Sequence, residues 1–127
     1  MQDLRLYEYA VIRIVPRPER EEFVNVGVIL YCPDKKFLGM RAHLPATKLQ
    51  ALDSNLSLED VSMHLQAFEE ICCGKTPNSP IASLDNASRF RWLTATRSTI
   101  LQTSKVHPGL CKDPEVTLDK LMVDLVG

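Results

Sequence analysis

Tyr9 to Leu38 reads YAVIRIVPRPEREEFVNVGVILYCPDKKFL, and this stretch decides the fold. Two apolar, β-branched runs, Ala10–Val15 and Phe23–Cys32, flank a charged connector, Pro16-Arg17-Pro18-Glu19-Arg20-Glu21-Glu22, and a third run opens after Asp34. Apolar runs of this length bounded by proline and charge read as strands joined by turns, hence an antiparallel meander. On the first strand Ala10, Ile12 and Ile14 share one face, while Tyr7, Tyr9, Val11, Arg13 and Val15 make a mixed one. If the connector pivots about Glu19, Arg13 falls opposite Asn25 on that mixed face. The turn Pro33-Asp34-Lys35-Lys36 leads into Phe37–Ala42, where a three-residue loop would set Arg41 opposite Gly27 and a two-residue loop would send it to the other face. Gly27 and Gly39 within strand patterns suit a bulge or a close approach of another element.

Beyond Pro45 the apolar period lengthens to three or four. Ala46, Leu49 and Leu52 predict a short helix. Ser57 then caps a longer one with Leu58, Val61, Leu65, Phe68 and Cys72 on one stripe and Gly74 as its stop. Asp85–Leu93 reads as a helix, Ser98–Ser104 as a short strand, and His107-Pro108-Gly109 as a turn. Asp113 caps a last helix with Pro114 in its first position, burying Leu118, Leu121, Met122 and Leu125. The expected architecture is α+β: a mostly antiparallel sheet, formed by the N-terminal three-stranded meander and a later short strand, with helices packed on one face.

The length of 127 residues fits one domain over 1–127. With 15 basic and 16 acidic side chains no global field draws the chain to nucleic acid, so such binding would need a local patch. The longest apolar runs are too short to span a bilayer, and Met1–Arg5 lacks the plan of a secretory signal, so a cytoplasmic location is expected. Cys32, Cys72, Cys73 and Cys111 show no Cys-x-x-Cys spacing and read as buried thiols rather than metal ligands. No metal or cofactor is implied.

Three polar groupings stand out. The connector residues Arg17, Glu19, Arg20, Glu21 and Glu22, with Arg13 and Asn25, could bind phosphate through arginines or place carboxylates around a divalent metal. Equally, they are an exposed hairpin whose charges pair among themselves. Arg13 differs, because a sheet-facing arginine in an apolar strand needs a partner or a ligand. The second grouping, Arg89 to Thr99, mixes three arginines, Trp92 and hydroxyls; its aromatics read as helix packing, and Arg97-Ser98-Thr99 stays open between structure and site. The third is His107, with His43 and His64 as the other histidines; a lone turn histidine suits a general base, a metal ligand or, more often, a structural role. No Gly-rich phosphate loop and no catalytic triad order can be read.

Two strings carry a family resemblance. Tyr9-Ala10-Val11-Ile12-Arg13, Pro16-Arg17 and Glu19-Arg20-Glu21-Glu22-Phe23-Val24-Asn25-Val26-Gly27-Val28-Ile29-Leu30 form the first, with Phe37-Leu38-Gly39 after it. Arg89-Phe90-Arg91-Trp92-Leu93, Arg97-Ser98-Thr99, Val106-His107 and Gly109-Leu110 form the second. Together they resemble the bacterial proteins grouped as domain of unknown function 3037. The resemblance implies no established activity. It implies a small stand-alone protein, often encoded beside a HipA-like kinase, and thus a partner role. The matching positions coincide with Arg13, Arg17, Glu19, Arg20, Glu21, Glu22, Asn25, Arg97, Ser98, Thr99 and His107. The first expectation is therefore a non-catalytic protein-binding or regulatory module. The alternative is an enzyme or ligand-binding protein for a phosphate-bearing small molecule or nucleic acid, with Arg13, Arg17, Arg20 and Arg97 on phosphate and Glu21, Glu22 or His107 as base or metal ligand.

Overall fold

The computed structural model describes residues 3–74, 79–95 and 99–127. Five strands, β1 (Arg5–Ile14), β2 (Val24–Cys32), β3 (Phe37–Ala42), β4 (Leu101–Thr103) and β5 (His107–Cys111), form one antiparallel sheet. Four helices accompany them: α1 (Ala46–Leu52), α2 (Leu58–Cys73), α3 (Asn86–Leu93) and α4 (Pro114–Leu125). The α+β class and the three-stranded meander are as the sequence implies. The order is β3-β2-β1-β4, with β5 also on β1.

Both β-turns of the meander follow one plan. Pro18–Arg20 and Pro33–Lys35 each make a single 3-10 turn, closed by a residue in the left-handed region, Glu21 at φ 56° and Lys36 at φ 51°. Proline fixes φ at the first position, and the left-handed residue turns the chain back into the next strand. Because the second turn occupies four residues, Cys32 faces Phe37, Arg41 faces Val28 and Gly27 faces Ala42. That replaces the Arg41–Gly27 pairing expected from a three-residue loop. The space left by Gly27 is filled by backbone, since a Cβ there would lie 2.4 Å from the Arg41 carbonyl oxygen. Arg41 instead reaches α4, with Nε donating to Asp119 Oδ1 at 3.0 Å.

Arg13 does face Asn25, but the register shifts between Ile12 and Arg13, so that Ile12 faces Gly27 and Val26 bulges out of the ladder. The Val26 carbonyl is satisfied by the His43 N–H at 2.7 Å. The bulge re-sorts β2. Val26 joins Ala10, Ile12, Ile14 and Ile29 in one core, while Val28, Leu30 and Cys32 join Tyr7 and Cys111 in another on the opposite face.

The two cores place the helices. Leu49 of α1, Val61, Phe68 and Cys72 of α2, and Phe90 and Leu93 of α3 pack in the first core. Leu118 of α4 packs in the second. The expectation of helices on one face is corrected to this extent: α4 lies on the other side. The physical reason is that β2 is apolar on both faces beyond the bulge and needs cover on both. Capping confirms the helix ends read from the sequence. Ser57 Oγ accepts from Asp60 N–H at 3.2 Å, Asp85 Oδ1 from Ser88 N–H at 2.8 Å, and Asp113 Oδ1 from Glu115 N–H at 3.0 Å; Gly74 ends α2 at φ 68°.

His107-Pro108-Gly109 is strand, not turn: His107 faces Tyr9, Pro108 faces Glu8 and Gly109 faces Tyr7. Proline is tolerated because β5 is an edge strand, where a missing N–H need break no ladder bond. Gly109 is needed because the Tyr7 ring lies over it, and a Cβ would come within 2.4 Å of that ring. β5 and β4 run end to end along β1, pairing with Arg5–Tyr9 and Ile12–Ile14. Ser104 fills the break. Its N–H donates to Val11 O and its Oγ accepts from Val11 N–H, both at 2.8 Å.

Candidate functional site

The meander brings Arg13 to the sheet end where the first turn closes, flanked by Asn25 on β2 and Gln102 on β4. These three polar side chains form a row across one face. Phe23, just before β2, supplies a ring beneath the guanidinium, with the Arg13 Cζ 4.0 Å from the ring centroid. Such a contact contributes about 0.5–1 kcal/mol where exposed, and more when desolvated. Asn25 is fixed from the other side, its Nδ2 donating to Leu125 O at the end of α4 over 3.2 Å.

Arg13, Val15, Pro18, Glu21, Phe23 and Gln102 line an open recess of about 400 Å³. Its charges are unusually arranged. Arg13 is half-buried, burial lowers its pKa from the ordinary guanidinium value, and it forms no ion pair with any described residue. Its Nε and the Asn25 Oδ1 are buried without hydrogen-bond partners among the described residues. Glu21 contributes the recess carboxylate and has no ion-pair partner among the described residues either. The neighbouring charges neutralise each other instead: Arg20 Nε meets Glu22 Oε1 at 2.9 Å.

The other residues singled out by sequence lie elsewhere. Arg17 precedes the 3-10 turn and accepts from Arg20 N–H through its carbonyl at 2.9 Å, and Glu19 is exposed within that turn. Thr99 Oγ1 donates to Leu101 O at 2.6 Å. It borders a separate, mostly apolar recess of about 160 Å³ with His64, Phe68, Ile71 and Trp92. His107 is exposed on β5 with its ring centroid 5.4 Å from that of Tyr9. Arg13 is four residues along β1 from Tyr9, about 13 Å at strand rise, so the two do not meet. Arg97 and Ser98 lie outside the described residues. Among the described residues no group of three or more His, Cys, Asp or Glu side chains is placed to hold a metal ion. None of their helices is long and apolar enough to cross a membrane.

Val15, Pro18, Phe23 and Gln102 are recess residues that the sequence did not single out as site candidates. Phe23 carried a signal, since it shares the alternation of Asn25. Gln102 carried none, because its place depends on which strand β4 joins.

Residues 9–126, nearly all of the chain and both motif strings, match the family described as protein of unknown function (DUF3037). The chain belongs to that family. No curated protein and no solved structure matches it. The family match covers every residue that lines the Arg13 recess, and it runs through α4, whose last turn orients Asn25.

Proposed function

We propose that the protein is a non-catalytic binding module whose recognition point is the recess around Arg13, where the guanidinium receives an acidic group. One observation carries this reading: Arg13 is half-buried against Phe23 and forms no ion pair with a carboxylate of any described residue. A guanidinium in that position is held ready for an anion, because the fold has already met the cost of orienting and partly drying it. Binding is favoured over catalysis because, of the candidate bases, only Glu21 lines the recess with Arg13. Glu22 is engaged by Arg20, and His107 is about 13 Å along the strand from Arg13. Regulation of a HipA-like kinase, the partner implied by the family resemblance, is the proposed use of such a binding event.

The test is a titration of the protein with sodium acetate and with inorganic phosphate, followed through the Arg13 Nε–Hε resonance and the Phe23 and Gln102 amides. At least one anion should shift all three, and Arg13→Gln should abolish the response. Resonances at this end of the sheet that stay still under both anions would sink the proposal.

A further inference from the structure

The recess holds one cation and one anion that do not neutralise each other. Arg13 and Glu21 both line it, yet no ion pair joins them, while Arg20 and Glu22 beside them do pair. Gln102 adds a further polar group: one N–H of its Nε2 donates to Thr99 O at 2.8 Å, which leaves its Oε1 acceptor and a second N–H. The polar lining therefore holds one cation, the Arg13 guanidinium, one anion, the Glu21 carboxylate, and the Gln102 amide, which can accept through Oε1. Val15, Pro18 and Phe23 supply apolar wall between them.

A purely anionic ligand is a poor match for that lining. Its charge would gain from Arg13 and lose to Glu21 within the same recess. A ligand with both charges satisfies both sides. We propose that the recess takes a small zwitterion, a free amino acid or a similar primary amine bearing an acid group, with the acid on Arg13 and the ammonium on Glu21 and Gln102. This rests on the reading of Arg13 as an acid receptor and names the rest of the ligand. A volume of about 400 Å³ lies within the range of small-molecule sites, and the apolar wall accommodates a side chain or methylene spacer.

The experiment titrates the full chain with free α-amino acids, β-alanine and γ-aminobutyrate. Glycinamide lacks the acid, N-acetylglycine lacks the ammonium, and both serve as controls alongside inorganic phosphate. Binding is read from the Arg13 Nε–Hε and Gln102 side-chain resonances. At least one zwitterion should bind about tenfold tighter than either single-charge control, the effect of one charged hydrogen bond. Glu21→Gln should erase that preference, and since Glu21 is exposed on a turn this variant tests the proposal even if Arg13→Gln does not fold. If N-acetylglycine or phosphate binds as tightly as every zwitterion, or binds tighter in Glu21→Gln with no zwitterion preference in the wild type, the zwitterion is overturned while Arg13 remains an acid receptor. If no probe moves Arg13, both readings fall.

Discussion

Arg13 of β1 and Asn25 of β2 are cross-strand neighbours, yet the Nε of one and the Oδ1 of the other are both buried without a hydrogen bond to any described residue. A donor and an acceptor on adjacent strands would ordinarily pair. Each is oriented by something else. Phe23 holds the guanidinium plane by stacking, and the Leu125 carbonyl holds the Asn25 amide. The result is a polar row whose hydrogen-bonding capacity is left unspent at the sheet end where the recess opens.

Arg13 should therefore be dispensable for stability. Arg13→Met keeps an unbranched stem against Phe23, removes a partly desolvated charge and relieves an unpaired donor, at the loss of the ring contact. Chemical denaturation is expected to show a change between zero and a gain of about 1 kcal/mol, with anion binding lost. A loss above about 1 kcal/mol would mean that Arg13 is a structural residue and not a receptor.

The two turns offer a matched pair. Glu21 and Lys36 both occupy the left-handed region, which costs a residue with a Cβ about 1 kcal/mol relative to glycine. Glu21→Gly and Lys36→Gly should each stabilise the protein by about 0.5–1 kcal/mol, read as a rise in denaturation midpoint. Only the first should alter ligand binding at the Arg13 recess, because Lys36 closes the other turn. Equal effects on binding would argue that the turns act through overall stability.

Much of this was legible from residue order alone. Alternation placed β1 and β2, the Ser57 and Asp113 caps placed two helix starts, and the Arg13–Asn25 pairing followed from a pivot at Glu19. What failed shares one cause: the answer lay in a neighbouring strand. The bulge at Val26 reverses which β2 residues share a face with Ile12, and Gly27 in the strand pattern signalled a bulge or a close approach without fixing the register. Pro108 and Gly109 look like a turn until β5 is known to be an edge with the Tyr7 ring over its glycine. Phe23 and Gln102 enter the recess through tertiary placement.

Ser104 is expected to matter more than a hydroxyl at a strand end usually does. It is buried, accepts from Val11 N–H at 2.8 Å, and donates to Lys105 O at 2.9 Å, bridging the break between β4 and β5. Ser104→Ala strands the Val11 N–H, so the cost is the desolvation penalty of a buried donor, about 1–3 kcal/mol. Amide hydrogen exchange at Val11 should accelerate well beyond that of Ile12. Unchanged stability and exchange would show that the break is satisfied in another way.

Alkaline pH should weaken the fold through Cys72. Burial pushes its thiol from 9.0 up to about 12, aided by Cys73 and Glu69 and opposed by Arg89. Because the unfolded chain releases this proton near pH 9 and the folded chain holds it until about 12, the folded state binds more protons in between. Stability is thus fully present below about pH 9 and falls as pH rises through that window, by up to about 1.4 kcal/mol per pH unit from this group. Tyr7 and Cys111, both raised chiefly by burial, act in the same sense. Denaturation midpoints measured from pH 8 to 11 should decline less steeply in Cys72→Ala than in the wild type, whatever the variant's starting stability. At pH 8 the exposed Cys73 should react with a thiol reagent while Cys32, Cys72 and Cys111 wait for unfolding. Parallel pH slopes in the two proteins, or rapid labelling of Cys72 in the folded state, would show that the thiol is not held neutral by the core.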